Sequence, residues 1–332
     1  MKAEILRLLR EADDYVSGQF LCEHFGVSRT AVWKAIEQLK KSGYEIEGIR
    51  NKGYRLVEAD TDTPDTNYYG KAEIESRMTT KYLGRQVVFF AETDSTNQKA
   101  KLFGEERREN GTLVVAEHQT LGKGRRGRKW ESPEGENIYM SLLLYPQIQT
   151  SSAPQLTLVM AMAVAKGIRE VYGTEVGIKW PNDVVLSGKK ICGILTEMSL
   201  EAEFISYVVI GVGLNVTQQE FPQEIRDKAT SLLLETKKSV SRSELIAEVI
   251  RHFEDLYERF LIKENLSDLR EEYNALLLNR GKEVRISTPK EEYTATGLGI
   301  NDTGELLVRL EDGSERAIYA GEVSVRGLYG YV

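Results

Sequence analysis

The 332-residue chain predicts a multidomain α+β protein, and three observations carry that prediction. Apolar residues at helical spacing and a basic hairpin fill residues 1–58. Adjacent short strands with few crossover helices fill 67–279, which points to a mixed or antiparallel sheet rather than a doubly wound one. From 280 to 332 the chain is short strands only. Residues 59–66 are polar and acidic and contain Pro64, so they are expected to be a linker.

In the first region Ile5, Leu6, Leu8 and Leu9 share one helical face. A second short helix follows Ser17, with Phe20, Leu21 and Phe25 apolar, and Gly26 makes a turn. Ser28 is the N-cap of a third helix whose buried stripe is Ala31, Val32, Ala35, Ile36 and Leu39. Its other face shows Arg29, Thr30, Trp33, Lys34 and Gln38. After Gly43, Tyr44–Ile49 and Gly53–Leu56 alternate as strands around Arg50, Asn51 and Lys52. That order makes a winged helix-turn-helix.

The chain has a net charge of -7, yet residues 28–55 hold seven basic and three acidic residues. This segment is therefore the candidate for meeting nucleic acid, with the third helix in the major groove and Arg50, Lys52 and Arg55 at phosphates or the minor groove. Winged helices also serve as protein-interaction modules, and the local charge favours DNA. Trp33 fits either packing against the first helix or contact with the duplex. So small a reader is expected to work as a dimer, with the dimer contact elsewhere in the chain.

The central region carries strands at Gln86–Glu92, Thr112–Glu117, Ile138–Leu144, Gly177–Trp180, Asp183–Leu186, Ile191–Met198 and Phe204–Gly211. A helix capped near Thr93–Asn97 and a strongly apolar one, Ala153–Tyr172, interrupt them. Four polar elements stand at strand ends: Asp94–Gln98, the loop after Gln119, Lys179–Asp183 leading to Lys190–Gly193, and Gly211–Asn215. Singly, Ser95 reads as a helix cap, Asn182-Asp183 as a turn and Lys190 as a hairpin residue. Together they read as one ligand site.

The loop Gly122–Trp130, G-K-G-R-R-G-R-K-W, holds Lys123, Arg125, Arg126, Arg128 and Lys129 with no acid among them. Its glycines let backbone approach a ligand and its cations recognise phosphate or carboxylate. Gly122, Gly124 and Gly127 also fit G-x-G-x-x-G. The dinucleotide reading needs a helix opening at the last glycine, and Trp130–Asn137 contains Pro133 and Gly135 and no helical period. That reading fails.

Two cysteines, Cys22 and Cys192, exclude a disulfide framework and a cysteine metal site. The longest apolar stretch, Leu156–Ala165, is about half a membrane span, so no membrane partner and a cytoplasmic location are expected. His24, His118 and His252 have no evident Ser or Cys partner, so no protein nucleophile is foreseen. Beyond helices at Ile246–Ile262 and Ser267–Leu277, strands at Glu283–Ile286, Tyr293–Leu298, Glu305–Leu310 and Glu315–Tyr319 predict a small SH3-like β-barrel.

The Gly122–Trp130 loop, Lys179-Trp-Pro-Asn-Asp183 and Lys190-x-x-Gly193 resemble the biotin protein ligases. With the winged helix and the C-terminal strands, the whole chain is similar to the bifunctional biotin ligases that also repress the biotin operon. The resemblance implies a catalytic domain at 67–279, a DNA-binding domain at 1–58 and a C-terminal domain at 280–332. It implies biotin and ATP with Mg²⁺ as substrates, a biotin carboxyl carrier protein as acceptor, operator DNA, and a homodimer when adenylate is bound. One departure stands out: Lys123 occupies a position where many members have Arg, so one bidentate fork is lost.

The site residues implied are Ser95, Thr96, Asn97, Gln119, Gly122, Lys123, Gly124, Arg125, Trp130, Lys190 and Gly193 for biotin. Trp130 would cover its valeryl chain. Lys123, Arg125, Arg126, Arg128, Asn182, Asn215 and Arg326 would meet ATP or the adenylate. Lys190, Arg125 and Asp183 carry the chemistry, with no metal held by protein ligands alone. DNA falls to Ser28, Arg29, Thr30, Trp33, Lys34, Arg50 and Lys52. Mutual repulsion in the basic loop implies disorder until an anion binds, and closure over the adenylate would then favour dimerisation. The alternatives are a biotin-sensing regulator without turnover and a lipoate-type acyl ligase.

Overall fold

The computed structural model describes residues 1–57, 69–287, 291–319, 324–327 and 331, with residues 324–327 described by their backbone. The expected linker at 59–66 lies outside the described residues. The chain divides into two compact units, Met1–Thr79 with Ser239–Ala247, and Thr80–Lys238 with Glu248–Val332.

The first unit runs α1 (Lys2–Glu11), α2 (Gly18–Phe25), α3 (Arg29–Lys41), β1 (Ile46–Ile49), β2 (Gly53–Leu56) and α4 (Lys71–Arg77). Ser17 Oγ accepts from the Phe20 amide at 3.0 Å and Ser28 Oγ from the Ala31 amide at 3.3 Å, so both helices start on side-chain caps. Gly26 ends α2 in the left-handed conformation, φ 62°. Ile5, Leu6, Leu21, Val32, Ile36 and Leu39 form the core. The wing is the antiparallel pair β1–β2, from Ile46 opposite Leu56 to Ile49 opposite Gly53.

Helix α4 has no counterpart among the sequence expectations, and its physical reason is a buried acid. Glu73 is 1 % exposed. It accepts from Arg10 Nη2 at 2.6 Å, from Arg77 Nε at 2.7 Å and from Tyr44 OH at 2.7 Å. A carboxylate on the inner face breaks the apolar period that would reveal a short helix. Burial pushes the Glu73 carboxyl up, but the two guanidiniums outweigh it and hold it below its ordinary value.

The second unit carries β3 (Val87–Thr93), α5 (Thr96–Glu105), β4 (Leu113–Gln119), β5 (Ile138–Leu144), α6 (Leu156–Tyr172), β6 (Gly177–Lys179), β7 (Asp183–Leu186), β8 (Lys189–Glu201) and β9 (Phe204–Leu214). The seven-stranded order is β3-β4-β5-β9-β8-β7-β6. β3 is parallel to β4, and the other neighbours are antiparallel. The sheet is therefore mixed. Every residue of central β5 is buried, so it reads as a continuous apolar run. A 3-10 turn, Thr150–Gln155, precedes α6, which thus begins three residues later than its apolar run suggests. Pro154 sits inside that turn, where its missing amide costs little.

Helices α7 (Leu232–Thr236), α8 (Arg242–Lys263) and α9 (Arg270–Leu276) lead to β10 (Glu283–Ser287), β11 (Glu292–Ile300), β12 (Leu306–Arg309), β13 (Glu315–Ile318) and β14 (Ser324–Gly327). These five strands make one antiparallel sheet in the order β13-β12-β11-β10-β14. Buried Trp180, just past β6, donates from Nε1 to the Gly304 carbonyl at 3.0 Å and from its amide to Asn279 Oδ1 at 2.9 Å. Those bonds fasten the strand end that precedes Asn182 to the C-terminal sheet.

Candidate active site

The end of β4, the start of α5 and parts of β8 and β9 surround a cavity lined by Ser95, Thr96, Asn97, Gln119, Lys123, Gly124, Arg125, Trp130, Asn182, Gly193, Ile194, Leu195, Gly211, Val212 and Gly213. Its floor is glycine because nothing larger fits. A Cβ at Gly213 would lie 2.5 Å from Trp130 Cε2, and one at Gly193 would lie 2.9 Å from Trp130 Cζ3. A Cβ at Gly211 would lie 2.0 Å from Asn97 Oδ1. The indole therefore lies flat on a strip of bare backbone. Trp130 Nε1 is buried and has no partner among the described residues.

One wall is a polar relay. Gln119 Oε1 accepts from the Thr96 amide at 2.9 Å and from Thr96 Oγ1 at 3.1 Å, and Gln119 Nε2 donates to Ser132 Oγ at 3.1 Å. Ser141 Oγ donates to Asn97 Oδ1 at 2.6 Å and lies 2.8 Å from Thr96 Oγ1. Asn97 Nδ2 donates to Glu197 Oε2 at 2.8 Å, and Lys101 pairs with Glu197 at 3.1 Å. Ser95 occupies the N-cap position of α5, but no capping bond is present among the described residues. Its hydroxyl therefore stands at the cavity wall instead of closing the helix.

The opposite side is cationic. Gly124 donates to the Arg128 carbonyl at 2.7 Å and Trp130 to the Gly122 carbonyl at 3.0 Å, which folds the basic loop back on itself. Gly122 is required at this closure, since a Cβ there would lie 2.5 Å from the Trp130 carbonyl. Of the five loop cations, Arg125 is the one drawn inward: its Nη1 donates to Asn182 Oδ1 at 2.6 Å. Burial pulls its pKa below the ordinary value, against Asp183 and with Arg126 and Arg128, yet a guanidinium stays a cation beside the cavity. Lys123, Arg126 and Arg128 are exposed, and Lys129 pairs with Glu131 at 2.9 Å.

Lys190 Nζ lies 2.5 Å from Asp183 Oδ1 and 5.3 Å from the Trp130 ring centre. Asn182 Nδ2 donates to the same Asp183 oxygen at 3.1 Å. The structure thus joins Arg125, Asn182, Asp183, Lys190 and Trp130 around one opening. It does not bring in Asn215, which is buried and donates from Nδ2 to the Thr230 carbonyl at 3.0 Å. The backbone of Arg326 pairs with Arg285 on β14 and β10, and its side chain lies outside the described residues.

Sequence reading missed Ser132, Ser141, Glu197, Lys179 and Tyr331 in this neighbourhood. Lys179 stands within the Lys-Trp-Pro-Asn-Asp motif, which is a signal of its own. The others reach the site only through the fold. Among the described residues no cluster of three His, Cys, Asp or Glu could hold a metal ion, and no helix is long and apolar enough to cross a membrane.

In the first unit, Ser28, Arg29, Thr30, Trp33 and Lys34 on α3 and Arg50 and Lys52 on the wing are all exposed. A groove runs between α3 and the wing, lined by Gln19, Arg29, Trp33, Lys40, Arg50 and Lys52 among others. Trp33 is 53 % exposed, which settles its position on the outer face. Lys52 pairs with Asp14 at 3.1 Å and Arg55 with Glu47 at 3.0 Å. Exposed pairs of this kind hold weakly and exchange readily for phosphate.

Residues 89–215 match the biotin/lipoate A/B protein ligase family, residues 2–55 match a helix-turn-helix domain, and residues 281–326 match the biotin protein ligase C-terminal domain. The chain is 36% identical over 328 residues to the bifunctional ligase/repressor BirA of Bacillus subtilis, covering 98% of each chain. The chain belongs to the biotin protein ligases of the bifunctional ligase/repressor type. It is 30% identical to BirA of Escherichia coli, covering 94% of each chain. Among solved structures, the biotin protein ligase of Aquifex aeolicus in complex with biotin and ATP superposes with a TM-score of 0.66 at 32% identity. That match covers 73% of this chain and 99% of the other. The biotin protein ligase fold thus accounts for the mixed sheet and for the small antiparallel domain that follows it.

Proposed function

We propose that this chain activates biotin with ATP to biotinyl-5′-AMP, transfers the biotinyl group to a lysine of a biotin carboxyl carrier protein, and represses biotin genes as an adenylate-bound dimer. The observation that carries the reading is the convergence of Lys190 and Arg125 on a glycine-floored cavity capped by an indole. Residues 1–58 then serve DNA, 67–279 catalysis and 280–332 the C-terminal domain, joined by a linker at 59–66.

The cavity suits a flat bicyclic urea with an apolar chain. Ser95, Thr96, Asn97 and Gln119 offer hydroxyl and amide groups to the ureido ring, and the unpartnered Trp130 Nε1 is one more donor. The indole, packed on Gly193 and Gly213, would cover the chain with its other face. At the open end Lys190 and Arg125 draw a carboxylate and an α-phosphate together, two groups that otherwise repel. The carboxylate oxygen then attacks phosphorus, pyrophosphate leaves, and Lys123, Arg126 and Arg128 of the basic loop would hold it. Mg²⁺ carried by ATP would neutralise phosphate charge.

In the second step an acceptor amine attacks the acyl carbon and AMP leaves. Asp183 would position that amine, and no protein nucleophile is needed. Biotin-dependent exchange of pyrophosphate into ATP tests the first step directly. Exchange that requires biotin supports the ligase reading over a turnover-free sensor, and exchange that answers to lipoate instead contradicts it.

A further inference from the structure

We infer that Tyr331, next to the last residue of the chain, is a positioning residue for the catalytic cations. The inference rests on the ligase reading above. Tyr331 OH donates to Asp183 Oδ2, while Oδ1 of the same carboxylate takes Lys190 at 2.5 Å and Asn182 at 3.1 Å. Asn182 in turn receives Arg125 at 2.6 Å. Lys190 and Arg125 therefore both hang on the dipeptide Asn182-Asp183, and Tyr331 holds that dipeptide through its other carboxylate oxygen.

The geometry gives the hydroxyl a specific task. A carboxylate bonded through one oxygen can turn about its last torsion, carrying Lys190 with it; a donor at the second oxygen fixes its plane. The Tyr331 ring does a separate thing. Buried Lys179 lies with Nζ 3.5 Å from the ring centre, a cation–π contact one turn of chain from Asn182. A residue at the end of the chain thus touches two residues of the Lys179–Asp183 motif, although 148 positions separate it from Asp183.

Single-turnover adenylate formation in the full chain tests this with Tyr331→Phe, which removes only the hydroxyl, and Tyr331→Leu, which removes the ring as well. Phe is expected to lower the adenylation rate about tenfold, the size of one charge-assisted hydrogen bond, with KM for biotin within about twofold of the parent. Leu is expected to lose more. In an Asp183→Asn background the Phe change is expected to have no further effect, because Tyr331 acts through that carboxylate. A Tyr331→Phe enzyme as fast as the parent, or a tenfold loss repeated in the Asp183→Asn background, would overturn the inference alone. A parent with no biotin-dependent adenylation would overturn the ligase reading along with it.

Discussion

Lys190 and Asp183 form an ion pair of 2.5 Å at the mouth of the cavity, with the Lys190 ammonium 5.3 Å from the Trp130 ring centre. The pairing holds the ammonium between the indole and Asn182 before any anion arrives. In the proposed reaction its charge would then need no reorganisation as the carboxylate and phosphate approach.

Gly213→Ala is expected to raise the dissociation constant for biotin at least tenfold. The new Cβ would lie 2.5 Å from Trp130 Cε2, so the indole would be pushed off its place on the cavity floor. Isothermal titration with biotin checks this, and unchanged affinity would mean the indole does not cover the ligand.

Glu73→Gln is expected to destabilise the first unit by about 3 kcal/mol, since Arg10 and Arg77 would lose a buried partner. The pH dependence has a definite sign. The folded Glu73 carboxyl is held below its ordinary value of 4.5. Its contribution is complete above that value and falls away as pH drops through the lower folded pKa. With the intrinsic, pH-dependent exchange rate divided out, the protection of amides in α1 and α4 should fall on acidification in the parent and show no such Glu73-linked fall in the variant.

The basic loop closes on its own turn, and Arg125 reaches from it to Asn182. Trypsin is expected to cut between Arg125 and Lys129 more slowly when biotin and ATP are present, because ligand anions offset the repulsion of its cations. Identical cleavage with and without saturating ligand would count against closure over the adenylate.

Operator binding is expected to fall steeply with salt. Replacing Lys52 by Ala should lower the slope of log K against log salt by about one, a single phosphate contact. Arg29→Ala should weaken operator binding more than binding to unrelated duplex, since Arg29 opens the helix that faces the groove. Sedimentation with and without biotinyl-adenylate tests the proposed dimer.

The sequence is most legible where one local force acts alone. Ser17, Gly26 and Ser28 announce the ends of α2 and α3 through capping chemistry, and the alternation in β1 and β2 reveals the wing. The basic loop and the Lys179–Asp183 motif announce an anion site by composition. Tertiary burial hides the rest. Glu73 masks α4, a buried bond to Thr230 takes Asn215 away from the cavity wall, and the pairing of Tyr331 with Asp183 spans nearly half the chain. The parallel pairing of β3 with β4 likewise depends on how α5 crosses between them.

Rapid-quench measurement of biotinyl-AMP formation by Lys190→Ala, set beside its affinity for biotin alone, bears most directly on the cationic clasp. The expected result is a rate lower by about 10²–10³-fold with biotin affinity within about threefold of the parent, because the ammonium acts on charge that develops during reaction. A rate within threefold of the parent would contradict it.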